Sequence, residues 1–174
     1  VSSTRVTHEY PERGGQLQLP VSAAHPQIRT PEPRGMGTAD GTATTLRVAS
    51  FNIRSGLALD GRHLWPFRRR AVAAALTELD ADLIGVQEGL AFQLHYLLGK
   101  LPAYASVGAG RTDGRARGEQ CALLYRTDRL TIQHTQTRWL SPTPEKAGSR
   151  GWGAPVPRVA TLARFRDRHS GLVF

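Results

Sequence analysis

Two short strings hold the residue types best suited to chemistry. Asn52, the only asparagine in the chain, sits in Ser50-Phe-Asn-Ile-Arg-Ser-Gly56. A carboxamide near a strand end can offer its oxygen to a hard cation and its N–H groups to a phosphate oxygen. Glu88 sits in Gly85-Val-Gln-Glu-Gly89, directly after an apolar run. A carboxylate at the C-terminal edge of a sheet suits Mg²⁺, which takes oxygen ligands, keeps several waters and needs only one or two protein carboxylates. Each residue alone also has a plainer reading. Asn52 fits a turn former just before a loop. Glu88 fits an N-cap or first-turn acid of the helix that follows, favoured by the helix dipole.

The surrounding pattern predicts the elements that must position these two residues. Leu46-Arg-Val-Ala-Ser-Phe-Asn-Ile53 is a compact β-type run, stopped by Ser55-Gly56. Pro66 suits the first turn of a helix, and Val72, Ala75, Leu76 and Leu79 follow at i, i+3, i+4 and i+7. Asp82-Leu-Ile-Gly-Val-Gln87 then reads as a short buried strand, completing a β-α-β unit. Asn52 and Glu88 are therefore expected at one edge of one sheet, from two adjacent strands. A second helix is expected from about Ala91, with Leu94, Leu97, Leu98 and Leu101 on one stripe and Pro102 ending it. Beyond that the pattern is mainly β: residues 104–107, 120–126, 130–140 and 158–166, the last alternating Val159, Thr161, Ala163 and Phe165 against Arg158, Ala160, Leu162 and Arg164. Residues 167–171 read as a turn, and Leu172-Val-Phe174 begins a further strand. That strand has no end, so the sequence is expected to stop inside an element. Residues 1–45, rich in Pro, Gly, Ser, Thr and Ala, carry no periodic apolar pattern and read as a tail or linker, leaving residues 46–174 as the folded part.

Composition bounds the partners. The chain has 174 residues, 40% of them hydrophobic, which is enough to bury one ordinary core and excludes wholesale disorder. One cysteine, Cys121, excludes an internal disulfide framework and any multi-cysteine zinc site. No apolar run approaches the roughly 18 residues that span a bilayer. The sequence opens with Val1 and shows no basic-then-apolar signal, so the compartment stays undetermined. Four Arg and four acidic residues before Leu46 cancel, so the remainder carries the whole net charge of +9. Such a surface favours phosphate esters, nucleic acid or an anionic membrane face, although Arg-rich coding alone also produces it.

Several standard signatures are absent: no Gly-x-Ser-x-Gly, no His-Glu-x-x-His and no Walker-type lysine loop. Gly108, Gly110, Gly114 and Gly118 precede a strand rather than a helix, so no helix N-terminus is available there for a pyrophosphate. A mobile loop beside a site is the better reading. His63, His95, His134 and His169 have no metal-ligand spacing and read as structural or exposed.

A strand ending in Phe-Asn-Ile-Arg, a helix, then a strand ending in Val-Gln-Glu resembles the endonuclease/exonuclease/phosphatase family. The resemblance continues through Gly118-Glu-Gln-Cys-Ala-Leu-Leu-Tyr-Arg126, Trp139-Leu-Ser-Pro-Thr-Pro144, Gly151-Trp152 and Pro157-Arg-Val-Ala-Thr161, in order across residues 46–174. It implies an α/β fold: the N-terminal half of a two-sheet β-sandwich flanked by helices, of the DNase I-like four-layer type. It implies metal-assisted hydrolysis of a phosphate ester, with Mg²⁺ or Mn²⁺ as cofactor and nucleic acid among the possible substrates. Glu88 would be the principal metal carboxylate, and Asn52 would touch the metal or the scissile phosphate. Glu119 would stand where the family places a Glu that orients a catalytic His; an exposed acid among Arg115 and Arg117 is its plainer reading. Arg158 would contact a substrate phosphate, or else sit on the rim of an Arg-rich strand.

The family's Asn-Thr-His, Gly-Asp-x-Asn and Ser-Asp-His strings are not in these 174 residues. The chain is therefore expected to be catalytically incomplete by itself. Two other classes stay open at this point: a basic phosphate- or nucleic-acid-binding remnant without catalysis, and a structural remnant without a ligand. The first predicts salt-sensitive binding that needs no divalent ion. The second predicts exposed apolar sheet surface.

Overall fold

The computed structural model describes residues 45–59 and 61–174. The linker expected over residues 1–45 lies, apart from Thr45, outside the described residues. Strand β1 (Val48–Asn52) runs parallel to β2 (Leu83–Gly89), with Phe51 opposite Val86 and Asn52 opposite Gln87. Between them lies helix α1 (Trp65–Leu79), with Pro66 in its first turn, where a missing N–H costs nothing. The helix stops at Asp80, which takes a left-handed backbone (φ 42°) and donates its N–H to the Thr77 carbonyl.

Helix α2 (Ala91–Leu98) ends earlier than its apolar stripe and Pro102 predict. Gly99 interrupts it, and the N–H groups of Lys100 and Leu101 turn to carbonyls three residues back. The tighter turn still delivers Leu101 to the core, so the stripe is used although the helix has ended.

Strands β3 (Tyr104–Val107) and β4 (Gln120–Arg126) complete a four-stranded sheet in the order β1-β2-β4-β3, with β4 antiparallel to both its neighbours. One face packs beneath the two helices. Ile53, Trp65, Leu76, Ile84, Val86, Leu94, Leu97 and Leu124 form that core. Each such side chain contributes about 1.5–3 kcal/mol by leaving water.

Strands β5 (Leu130–Trp139) and β6 (Val159–Asp167) form a second, antiparallel pair. Alternation along β4 turns Cys121, Leu123 and Tyr125 away from the helices. Tyr125 meets Phe165 of β6 with ring centroids 5.1 Å apart, so the sheets stack. The result is a helix, sheet, sheet layering of the two-sheet α/β type expected. The further strand expected at residues 172–174 is a single bridge, Val173 to Arg166, flanked by a reciprocal backbone pair between Phe165 and Phe174. Asp167 shapes the preceding turn. Its carboxylate accepts from Arg129 Nε and Nη2 (2.8 and 3.1 Å), the Ser170 hydroxyl and the His169 N–H.

Candidate active site

The parallel β1–β2 pairing carries Asn52 and Glu88 to the same edge of the first sheet. Asn52 Nδ2 donates to Glu88 Oε1 at 2.9 Å, and Asn52 Oδ1 accepts the Arg54 N–H at 2.7 Å. The turn-forming role and the site placement of Asn52 thus hold together. The second Glu88 oxygen accepts the Ser55 N–H at 3.1 Å. Helix α2 makes no use of this carboxylate, because its N-cap is Leu90, so the first-turn reading of Glu88 does not describe the fold.

Glu88 also adopts a left-handed backbone (φ 60°) at an irregularity in the β2–β4 register between Val86 and Gly89. A glutamate pays about 1 kcal/mol or more for that conformation. The bulge turns its side chain off the strand's alternation. The Asn52 hydrogen bond, opposed by desolvation and helped by the Ser55 N–H and the charges of Arg54 and Arg111, holds the Glu88 carboxyl below the ordinary range. It is ionised at neutral pH.

Asn52 and Glu88 form one wall of a cavity of about 310 Å³, and Arg111, Glu119, Cys121 and Arg158 also line it. Every residue singled out for the site from sequence therefore meets at one place. Arg158 enters it just before β6, bringing a contribution from the second sheet. Glu119 does not point to an imidazole. It pairs with Arg111 at 2.6 Å, and among the described residues no His lines the cavity. His134 lies exposed on β5 opposite Arg164, and His169 lies in the exposed turn after β6.

The glycine-rich stretch stands beside the site, as expected, and is closed by its own hydrogen bonds. Arg111 N–H donates to the Glu119 carbonyl, Thr112 N–H to Arg117 and Gly110 N–H to Arg115. Asp113 accepts the N–H groups of Arg115 and Arg117, and the Trp139 indole donates to the Arg111 carbonyl at 2.7 Å. A Cβ at Gly110 would lie 2.3 Å from the Arg117 oxygen, so only glycine lets the loop fold back this tightly.

Three contributors were not singled out from sequence. Arg111 reads as one more basic residue of an Arg-rich loop. Gln93 is fully buried; its oxygen accepts the Gly56 and Leu90 N–H groups and its nitrogen donates to the Arg54 carbonyl. Its only signal is a Gln in the first turn of α2, half of a capping box without the usual hydroxyl partner. Arg68 lies in a run of three arginines that reads as a solvated face, yet donates to the Ile53, Arg54 and Ser55 carbonyls.

Among the described residues no three His, Cys, Asp or Glu cluster into a ready metal cage. Apart from Glu119, whose carboxylate is paired with Arg111, the charged oxygen donor on the open cavity wall is Glu88, with the Asn52 carboxamide beside it. That set fits a hard cation that keeps most of its waters, such as Mg²⁺ or Mn²⁺.

Comparison with known proteins agrees with the fold. Residues 49–168 match the profile of the Endonuclease/Exonuclease/phosphatase family. An endonuclease/exonuclease/phosphatase from Bacteroides vulgatus is 36% identical with a TM-score of 0.72, over 74% of this chain and 49% of its own. A mannosyl-6-phosphatase from Bacteroides thetaiotaomicron is 36% identical with a TM-score of 0.71, over 75% and 49%. The human Nocturnin catalytic domain, at 19% identity and a TM-score of 0.54, shares the fold. No curated protein matches in sequence. The chain spans about half the length of these solved relatives. With its family pattern matched over most of its length, the chain belongs to the endonuclease/exonuclease/phosphatase family.

Proposed function

We propose that this chain contributes the cation- and phosphate-binding part of a phosphate-ester hydrolase. The observation that carries the reading is the convergence of Asn52 and an ionised Glu88 on a cavity that also receives Arg158. Glu88 and Asn52 are the residues to hold Mg²⁺ or Mn²⁺. When bound, such an ion supplies charge neutralisation at the phosphate and lowers the pKa of its water. Arg158 faces the same space as a charged donor suited to phosphate oxygens. Arg111 also reaches it, but its charge is shared with Glu119.

In this reading Glu119 awaits an imidazole to orient, and none of the described residues brings one to the cavity. Turnover by the 174 residues alone is expected to be no more than a trace. The relative named as a mannosyl-6-phosphatase makes a sugar phosphomonoester the first substrate to offer. A generic phosphodiester and DNA follow, each assayed with and without EDTA. Robust EDTA-sensitive turnover would overturn the incomplete-site reading and assign the base to a residue of this chain. Binding of DNA that falls steeply with salt and ignores EDTA would favour a non-catalytic anion-binding role for Arg111 and Arg158 instead.

A further inference from the structure

Two helices grip the loop that follows β1, each through one polar side chain. Arg68 of α1 donates Nη1 to the Ile53 carbonyl, Nη2 to the Arg54 and Ser55 carbonyls (2.8 and 3.2 Å), and Nε to His63 (2.8 Å). Its guanidinium lies 5.2 Å from the Trp65 ring centroid, which fixes its plane. Three consecutive loop carbonyls thus point at one fork, a geometry that a lysine ammonium cannot reproduce.

Gln93 of α2 completes the grip. It receives the Gly56 N–H at 2.8 Å and returns a donor to the Arg54 carbonyl at 3.0 Å, while sealed from solvent. The loop packs so closely that a Cβ on Gly56 would lie 2.5 Å from the Phe92 ring and 2.8 Å from Gln93 Cδ. What this grip sets in place is the Ser55 N–H on Glu88 Oε2 and, through the Arg54 N–H, the orientation of the Asn52 carboxamide. Arg54 itself is left-handed (φ 56°), a conformation that persists only when its surroundings hold it.

We propose that Arg68 and Gln93 are positioning residues of the Asn52–Glu88 site: they act through the 53–56 loop to set its affinity for a divalent cation. The inference rests on the metal reading given above. Outer partners of ligating groups commonly change metal affinity 10–100-fold. The lower end applies here, because the loop stays tethered by whichever of the two residues remains.

The test uses the full 174-residue chain as Arg68→Lys, Gln93→Met, Glu88→Gln and Tyr104→Phe. Tyr104→Phe removes the hydroxyl bond to the Ala81 carbonyl at the far end of the sheet and serves as a stability control. Amide exchange at residues 53–56 is measured on metal-free protein, and Mn²⁺ affinity by titration calorimetry. Arg68→Lys and Gln93→Met are expected to speed loop exchange and weaken Mn²⁺ about tenfold, whereas Tyr104→Phe lowers Tm with unchanged Mn²⁺ affinity. Unchanged loop exchange in both grip variants overturns the proposal. So does faster exchange with parental Mn²⁺ affinity, or a loss of affinity in Tyr104→Phe that tracks its Tm. If Glu88→Gln binds Mn²⁺ as the parent does, the metal reading itself has failed and the proposal falls with it, and the loop-exchange data still report whether the grip exists.

Discussion

Replacing Glu88 with glutamine keeps the shape of the side chain and removes only its charge and one acceptor. The geometry makes the cost specific. In the parent, each carboxylate oxygen accepts one N–H, from Asn52 and from Ser55. A glutamine offers one oxygen and one NH₂, so one of these donors must face another donor. Asn52 cannot relieve the conflict by flipping its carboxamide, because its own oxygen is already taken by the Arg54 N–H at 2.7 Å. One hydrogen bond is therefore lost and the other loses its charge assistance. At about 1–1.5 kcal/mol for the first and somewhat less for the second, discounted for partial exposure, the variant should lose about 1–2 kcal/mol. For a domain of this size that lowers Tm by about 3–8 °C.

The pH dependence supplies a second check. Glu88 has a folded pKa below its unfolded value, so its stabilisation is present above about pH 4.3 and is lost as pH falls through the folded pKa. Parent and variant should differ at pH 7 and converge as the pH falls through the folded pKa of Glu88. A saturating divalent ion widens the gap: at about 100 times its Kd it stabilises the parent by roughly 2.7 kcal/mol and the variant far less. The assay is thermal melting at pH 7 and pH 3, with EDTA or Mn²⁺, alongside Asp82→Asn at the other end of β2. Equal melting of Glu88→Gln and parent at pH 7 in EDTA would refute the locked-donor argument. A variant that keeps the full Mn²⁺ gain would refute the metal role.

Other perturbations probe the frame. Asp167→Asn should flatten the acid limb of the stability curve: Ser170 and then Arg129 hold that carboxyl well below the ordinary range, so its contribution is present above about pH 4 and fades below it, as acid titration followed by circular dichroism would show. Leu76→Ala, at a fully buried core position of α1, should cost about 2–5 kcal/mol by urea unfolding. Deleting residues 1–45, proposed from composition as a separate tail, should change stability by no more than about 1 kcal/mol.

The β-α-β unit was legible because its signals are local. Pro66, the Val72–Leu79 spacing and the apolar 82–87 run each act within a few residues, and together they fix where Asn52 and Glu88 end up. The end of α2 was legible only in part, since Leu101 keeps the apolar stripe going while Gly99 has already released the helix. Gln93 and Arg68 were hidden for a different reason. Their partners in the 53–56 loop are backbone groups 13 to 39 residues away, and a backbone group carries no sequence identity. The Arg111–Glu119 pair was equally silent. Both residues belong to a loop whose closure depends on Gly110 and on Trp139 from the other sheet.

Cys121 offers a use unrelated to any role in the site. It is the only thiol in the chain, it is half-buried, and it lines both the cavity and the cleft between β4 and β6. Burial pushes its pKa up, so little thiolate is present at neutral pH while the sheets stay together. Alkylation at neutral pH is therefore slower in the folded protein than in the unfolded chain. The ratio of the two labelling rates reports how far the fold shields the thiol, through burial and raised pKa together. A single atom, already in place, thus makes the seam between the two sheets report on its own integrity.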